Sequence, residues 1–266
     1  MTEQTVLIQT DQRGVATVTL NNLEKHNAFD DKIIEELTAA FEQISNNKDV
    51  RVMILAATGK NFCAGGDLAW MKRMAKYSYD ENLNDSKVLA RMFKNLNFLA
   101  VPTIARVQGV AFGGGVGLVS CCDMAVATPD ASFALSEVKI GLIPAVISPY
   151  VVAAIGQRAA RRYFTTAERF DAQTAFKLGL VSKVVEKEQL NHEIDKLAET
   201  LLANSPTAIV DAKQLIFDVA GRQIDDELID FTCERIADIR VSANGQEGLT
   251  AFLEKRKPTW NVVKNV

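Results

Sequence analysis

Two glycine-rich segments and one glutamate carry residue types from which a catalytic site could be built. The segments are NFCAGGDL at 61–68 and QGVAFGGGVG at 108–117, and the glutamate is Glu137 in LSEVKIGLIP at 135–144. Glycines let peptide N–H groups approach a ligand closely, and N–H groups near a helix start can face an anion. A carboxylate beside an apolar wall has a raised pKa, which suits general acid/base chemistry near neutrality.

Each of these features also has a plainer interpretation. The 61–68 segment could be a tight turn, the 108–117 segment a helix packed closely on a sheet, and Glu137 a surface residue paired with Lys139. Three other kinds of site are excluded more firmly. Segment 108–117 lacks the third glycine of a dinucleotide-binding fingerprint, and the sequence contains neither a P-loop for phosphate binding nor the G-x-S-x-G elbow of a serine nucleophile. Cys63 with His26 as its base would be a thiolate nucleophile, but a small buried residue is the favoured interpretation of Cys63.

The elements that must position these segments are predicted from hydrophobic periodicity. Strands alternate with helices up to about residue 185, which indicates βαβ units and a mainly parallel sheet. Beyond that point only helical periodicity remains, and Ser205–Pro206 has the cap and first-turn residues of a helix start. The predicted strands are Val6–Ile8, Val15–Leu20, Arg51–Ala57, Thr103–Val107 and Met124–Ala127, and the predicted helices are Asp31–Ser45, Lys87–Leu99, Gly113–Cys122, Leu190–Leu202, Thr207–Val219 and Asp226–Val241.

Composition limits the class of protein. The chain has 266 residues, with 30 Lys and Arg against 33 Asp and Glu, and this balance disfavours a nucleic-acid partner. The uncharged stretch Ile140–Gly156 is 17 residues long and contains two prolines, so it predicts a buried core segment or an active-site wall rather than a membrane span. The four cysteines form no C-x-x-C pair and neither histidine has a partner at ligand spacing, so we expect reduced thiols, no metal and a cytoplasmic enzyme.

Taken together and in order, the motifs resemble the crotonase (enoyl-CoA hydratase/isomerase) superfamily. The resemblance spans nearly the whole chain. The motifs are specific when taken jointly, although each one alone is a weak signal. The matching runs are LEKHNAF at 23–29, NFCAGGDL at 61–68, VPTIARVQGVAFGGG at 101–115, CDMAVAT at 122–128, LSEVKIGLIP at 135–144 and AFLEKRKP at 251–258.

The resemblance implies an α/β fold in which a spiral of ββα units, residues 1–205, binds acyl-CoA. A helical region, residues 206–266, would assemble trimers, often stacked as hexamers. The N–H groups of Gly66 and Gly114 would form the oxyanion hole for the thioester carbonyl. No separate cofactor is expected, because the substrate carries coenzyme A. The implied CoA contacts are Lys25, His26, Asn27, Ala64, Asp67 and Leu68, with Phe252 and Lys255 supplied by a neighbouring subunit.

One departure from the family pattern affects the expected mechanism. Family hydratases use two glutamates; the second matches Glu137, whereas the first falls at position 117, which is Gly117 here. Either Glu137 both activates the water and transfers the proton, or another residue assists it, or the protein catalyses a reaction other than hydration.

The runs GLVSCCDMA, LSEVKIGLIPAVISPYVV and RVSANGQEGLTAFLEKRKP are similar to bacterial methylglutaconyl-CoA hydratases of leucine catabolism. We therefore expect hydration of a branched 2-enoyl-CoA such as 3-methylglutaconyl-CoA. The alternatives are a Δ3,Δ2-enoyl-CoA isomerase, for which one glutamate suffices, and a non-catalytic acyl-CoA-binding protein. A distal carboxylate on the substrate would need a cation or a hydroxyl donor, for which the candidates are Lys72, Arg73, Lys139, Ser148 and Tyr150.

Overall fold

The computed structural model describes residues 4–261, which form nine strands and ten α-helices. The strands are β1 Val6–Thr10, β2 Val15–Leu20, β3 Val52–Ala57, β4 Thr103–Val107, β5 Val110–Phe112, β6 Met124–Ala127, β7 Ser132–Ala134, β8 Phe170–Asp171 and β9 Lys183–Val184. The helices are α1 Asp31–Asn46, α2 Leu68–Met74, α3 Tyr79–Asn97, α4 Gly114–Cys121, α5 Ser148–Thr166, α6 Ala172–Leu178, α7 Leu190–Leu202, α8 Pro206–Val219, α9 Asp226–Val241 and α10 Ala243–Leu253.

The larger sheet has six strands in the order β1-β2-β3-β4-β6-β9. Only β1 and β2 pair in antiparallel fashion, as a hairpin, and every later pairing in this sheet is parallel. All six residues of β3 are buried, because helices cover both faces of a central parallel strand. The predicted mainly parallel sheet is thus confirmed.

Two hydrophobic cores lie on the two faces of this sheet. On one face, side chains of α1 such as Leu37 and Phe41 belong to the same core as Met53 and Leu55 of β3. On the other face, the buried stripe of α7 packs with the alternate strand residues, namely Ile54, Ile104 and Val126. The period-2 alternation of β3 and β4 therefore decides which side chains face the helices of each layer.

A second, three-stranded sheet in the order β5-β7-β8 stands beside the first. Strands β5 and β7 pair in parallel, and β7 and β8 pair antiparallel. The Gly113–Gly114 pair follows β5 directly, so this small sheet sets the position from which α4 begins.

The structure corrects the sequence predictions at three places. Helix α3 begins at Tyr79, two turns before the predicted Lys87, because Ser78 caps it in a capping box with Glu81. Helix α10 was not predicted at all. The start of the uncharged stretch is not buried core: Ile140, Leu142 and Ile143 are exposed by half or more, and burial begins only at Pro144.

The three C-terminal helices α8, α9 and α10 lie within the predicted region 206–266, and α8 begins at the predicted Ser205 cap. Helix α8 is tied to the sheet by Lys213, whose ammonium lies 2.7 Å from the Asp123 carboxylate and 3.2 Å from the Val101 carbonyl oxygen. Among residues 4–261, no helix is long and apolar enough to cross a membrane.

Candidate active site

The first glycine segment is fastened to β5 by two backbone hydrogen bonds at Cys63. The Cys63 N–H donates to the Val110 carbonyl, and the Phe112 N–H donates to the Cys63 carbonyl, both over 2.9 Å. The chain then reverses at Gly65, whose φ of +97° is a conformation that L side chains rarely adopt. The loop is therefore held against β5 rather than free in solvent.

Gly66 follows in this loop with its N–H directed away from the local pairing. The Phe29 N–H donates to the Gly65 carbonyl and the Asp67 N–H donates to the Phe29 carbonyl, each over 2.7 Å. These two bonds bracket Gly66 and do not use its own N–H. A Cβ on Gly66 would meet Met71 and Trp70 only at 3.5–3.7 Å, so the flanking space is ordinary.

The second N–H belongs to Gly114, the first residue of α4. An N–H in the first turn of a helix has no acceptor within the helix. A Cβ here would lie 2.1 Å from Cε2 of Phe29, so only glycine fits. Because Phe29 pairs with the Gly66 loop through its backbone and covers Gly114 with its ring, it joins the two predicted oxyanion-hole positions.

Glu137 lies beside this pair. Its Oε1 is 3.0 Å from the position that a Cβ on Gly113 would occupy. Its Oε2 is buried and has no hydrogen-bond partner among the described residues. Loss of hydration raises the pKa of the Glu137 carboxyl, with a smaller opposing contribution from its own backbone N–H. The plainer interpretation, a pair with Lys139, does not hold, since no ion pair joins Glu137 to Lys139 among the described residues.

Position 117 is packed, not vacant. A Cβ on Gly117 would lie 2.4 Å from Cγ2 of Ile147 and 2.9 Å from Cε1 of Phe93. Both of these side chains are buried, and the Phe93 ring also contacts Phe29 edge-on and Tyr150. An apolar wall therefore fills the place from which the first family glutamate would project.

The predicted CoA-binding residues of the two loops do lie together. The His26 carbonyl accepts from the Ala64 N–H, and Lys25 pairs with Asp67 over 3.3 Å and with Asp30 over 3.1 Å. Leu68, next to Asp67 in sequence, is 74% exposed, whereas the Asp67 side chain is occupied in capping α2. These loops thus form a polar rim next to the Gly66 segment.

Asn27 has a structural use that the sequence did not indicate. Its side-chain nitrogen donates to the carbonyls of Thr58 and Asn61, and its oxygen accepts from the Asn22 N–H. His26 and Asn27 both have φ above +50°, so these bonds hold a strained turn. The side chain of Asn27 fixes the loop and leaves no free donor for a ligand.

Phe252 and Lys255 lie at the end of α10. The Phe252 side chain is 79% exposed, and no hydrogen bond or ion pair within the described residues joins either residue to the Lys25 or Gly66 loops. Their predicted role requires a neighbouring subunit and stays a prediction.

The cysteines support the plainer interpretation. Cys63 is fully buried, and burial raises the pKa of its thiol to about 12, so it is no thiolate at neutral pH. All four cysteines are free thiols, and no group of metal-binding side chains occurs in residues 4–261.

Sequence reasoning missed the residues that connect the site. Phe29 was part of a matching motif, but nothing in its type or spacing marks a contact with Gly114. Phe93 and Ile147 gave only core signals in the sequence, and Trp70, which is also buried, lies beside Gly66.

Comparisons with known proteins agree with this geometry. The family profile described as enoyl-CoA hydratase/isomerase matches residues 10–262. The chain is 32% identical over 246 residues to the short-chain-enoyl-CoA hydratase of Clostridium acetobutylicum, which covers 91% of this chain and 92% of that protein.

Solved structures give the same result. The enoyl-CoA hydratase of Shewanella pealeana superimposes with a TM-score of 0.93 at 47% identity, covering 96% of both chains. That of Mycobacterium smegmatis superimposes with a TM-score of 0.92 at 34% identity, covering 98% of this chain and all of the other. The α/β crotonase fold expected from the motifs is confirmed, and the chain belongs to the enoyl-CoA hydratase/isomerase family.

Proposed function

We propose that this protein hydrates a branched 2-enoyl-CoA that carries a distal carboxylate, such as 3-methylglutaconyl-CoA in leucine or isoprenoid catabolism. The observation that carries the proposal is the Glu137 carboxylate, desolvated and seated against Gly113, next to the unpaired first-turn N–H of Gly114. The membership of an enoyl-CoA hydratase/isomerase family supports the lyase reaction. Coenzyme A enters as part of the substrate, and no further cofactor is required.

In the proposed reaction one glutamate serves both proton transfers. Glu137 takes a proton from water while the water oxygen forms a bond to C3 of the enoyl group. The electron pair of the double bond moves to the thioester oxygen, where the N–H groups of Gly66 and Gly114 stabilise the enolate. The protonated Glu137 then delivers the proton to C2, so that one water is added across the double bond.

Tyr150 is our candidate to bind the distal carboxylate. Its ring contacts Phe93, which forms the wall at Gly117, and burial raises the pKa of its hydroxyl, which keeps it a hydrogen-bond donor at neutral pH. The other candidates are less well placed. Arg73 already pairs with Asp31, the Ser148 hydroxyl donates to the Ala145 carbonyl, and Lys72 and Lys139 lie exposed on the surface.

The second candidate function is a Δ3,Δ2-enoyl-CoA isomerase. The packed wall at Gly117 favours it, because Ile147 and Phe93 exclude a second carboxylate there and a single carboxylate can move one proton between two carbons. A third candidate is a non-catalytic acyl-CoA-binding protein, for which Glu137 would be dispensable.

One set of assays separates these functions. The purified protein is incubated separately with 3-methylglutaconyl-CoA, crotonyl-CoA and a 3-enoyl-CoA. The products are separated by chromatography and their masses are measured by mass spectrometry. Hydration adds the mass of one water, isomerisation leaves the mass unchanged and shifts the double bond, and a non-catalytic protein gives neither product. Tyr150→Phe serves as the matched variant, and we expect it to raise KM for 3-methylglutaconyl-CoA but not for crotonyl-CoA.

We also propose a homo-oligomer, a trimer or hexamer, assembled through the C-terminal helices. Large apolar side chains are exposed across this region in the isolated chain, which is typical of a surface that is covered by a partner. They are Ile216, Phe217, Ile224, Ile229, Ile236, Val241, Leu249, Phe252 and Leu253. Light scattering on the purified protein measures the assembly directly, and a cytoplasmic location remains our expectation.

A further inference from the structure

A cleft of about 1040 Å³ opens on the side of the large sheet opposite to the glycine loops. Its floor includes Ile54 and Ala56, the residues of β3 that point toward the α7 layer, and α7 supplies one wall through Asn191 and Ile194. None of the residues discussed for catalysis lines it. The cleft is thus separate from the candidate active site.

Arg106 of β4 is the distinctive group of this cleft. Its Nε donates to Oδ1 of Asn191 over 2.7 Å, and its Nη1 donates to Oε1 of Gln108 over 3.0 Å. Gln108 is itself fixed, because its amide nitrogen donates to the Ala57 carbonyl over 2.7 Å. The guanidinium is therefore held in one orientation by neutral amides, and its Nη2 makes no hydrogen bond to the described residues.

The charge of Arg106 is not balanced inside the protein. No carboxylate lies within ion-pair distance of it among residues 4–261, and desolvation lowers its pKa without any opposing contribution. The two acidic residues of the cleft, Asp11 and Asp195, pair with Arg13 instead of Arg106, each over 2.8 Å. A partly buried cation without a counter-charge is costly unless an anion is bound, and a guanidinium fork suits carboxylate or phosphate oxygens.

We propose that this cleft binds a small organic oxyanion, with the Arg106 guanidinium contacting the carboxylate or phosphate group. The apolar floor of Ile54 and Ala56 would then cover a short hydrocarbon portion of the ligand. The site does not depend on the proposed reaction, and its occupation is separable from catalysis.

The test compares three probes of equal chain length: n-butyrate, n-butyl phosphate and neutral n-butanol. Isothermal titration at constant ionic strength measures each with the wild-type protein, with Arg106→Gln and with Arg13→Lys. Arg13→Lys is the control, since it alters the other cation of the cleft but keeps the charge that neutralises Asp11 and Asp195. We expect one or both anions to bind the wild type and Arg13→Lys within about threefold of each other, and to bind Arg106→Gln at least tenfold more weakly.

The pattern of binding identifies the ligand class. Butyrate alone indicates a carboxylate ligand, and butyl phosphate alone indicates a phosphate ester. The proposal is overturned if neither anion binds, if butanol binds as tightly as the anions, or if the anions bind Arg106→Gln as tightly as the wild type. If Arg106→Gln fails to fold, Arg106→Lys retains the charge but loses the fork, and unchanged affinity in that variant would equally contradict it. Turnover of acyl-CoA by Arg106→Gln should equal that of the wild type.

Discussion

The packed wall at position 117 makes a quantitative prediction about stability. In Gly117→Ala the new Cβ would meet Cγ2 of Ile147 at 2.4 Å and Cε1 of Phe93 at 2.9 Å. Overpacking of this kind costs about 1–3 kcal/mol, whereas replacing glycine by alanine inside a helix contributes about 1 kcal/mol of stability. We therefore expect Gly117→Ala to lower the free energy of unfolding by up to about 2 kcal/mol.

The effect of Gly117→Ala on stability should change sign when the side chain of Ile147 is shortened. In an Ile147→Ala background the closest contact, to Cγ2, no longer exists, so the helix-propensity gain is opposed only by the contact with Cβ of residue 147 at 3.0 Å and by the contact with the edge of Phe93 at 2.9 Å. Gly117→Ala is then expected to be neutral or to stabilise by up to about 1 kcal/mol. The coupling between the two positions should be about 1–3 kcal/mol, which lies within the range of about 0.5–3 kcal/mol found for residues in direct contact.

Urea denaturation followed by circular dichroism measures this double-mutant cycle, at one protein concentration because assembly shifts apparent stability. Gly117→Glu, measured in parallel, should be less stable than Gly117→Ala, since it also places an unpaired carboxyl against Ile147 and Phe93. It should not raise turnover. Additive effects in the cycle, or a Gly117→Glu protein that is stable and faster than wild type, would refute the assignment of a closed wall at this position.

Three further predictions concern the site and its surroundings. Gly114→Ala should reduce kcat about a hundredfold or more, because its Cβ would overlap Phe29 and displace an oxyanion donor; a steady-state assay checks this, and wild-type kcat would contradict it. The raised pKa of Glu137 means that the folded protein binds its proton more tightly than the unfolded chain, so stability falls as pH rises from the ordinary value of 4.5 through the folded pKa. Glu137→Gln should therefore unfold at higher urea than wild type at pH 7 but not below pH 4.5, and an identical midpoint at both pH values would contradict this. Alkylation at pH 7 followed by peptide mapping should leave Cys63 intact in the folded protein and modify it after unfolding in urea, and fast labelling of Cys63 in the folded protein would count against its burial and its thiol pKa of about 12.

Much of the fold could be predicted because long elements carry their own pattern. Helix α1 shows its buried stripe at helical spacing, and β3 is an uninterrupted apolar run, so both follow from sequence within one residue of their ends. The second sheet could not be predicted this way. Its strands are two or three residues long, and β8, Phe170–Asp171, is too short for a period-2 pattern to appear.

The candidate site was likewise predictable in part. The glycine segments and Glu137 were predicted as separate pieces, because backbone freedom and an isolated carboxylate leave a signature in the chain itself. What joins them was not predictable: Phe29, Gly114 and Glu137 are distant in sequence, and only the fold brings the ring and the carboxylate to the two glycine segments. The same holds for Arg106, which in the sequence is one charged residue of a strand and becomes distinctive only through its neutral partners.

The central claim is that Glu137 alone supplies the acid/base chemistry of the proposed hydration. The most direct measurement is turnover of 3-methylglutaconyl-CoA by wild type and Glu137→Gln, followed by mass spectrometry of the product, with acyl-CoA affinity determined in parallel. We predict a hydrated product from the wild type, a loss of about a hundredfold or more in Glu137→Gln, and acyl-CoA binding retained by both proteins. No hydrated product from the wild type, or undiminished hydration by Glu137→Gln, would contradict the claim.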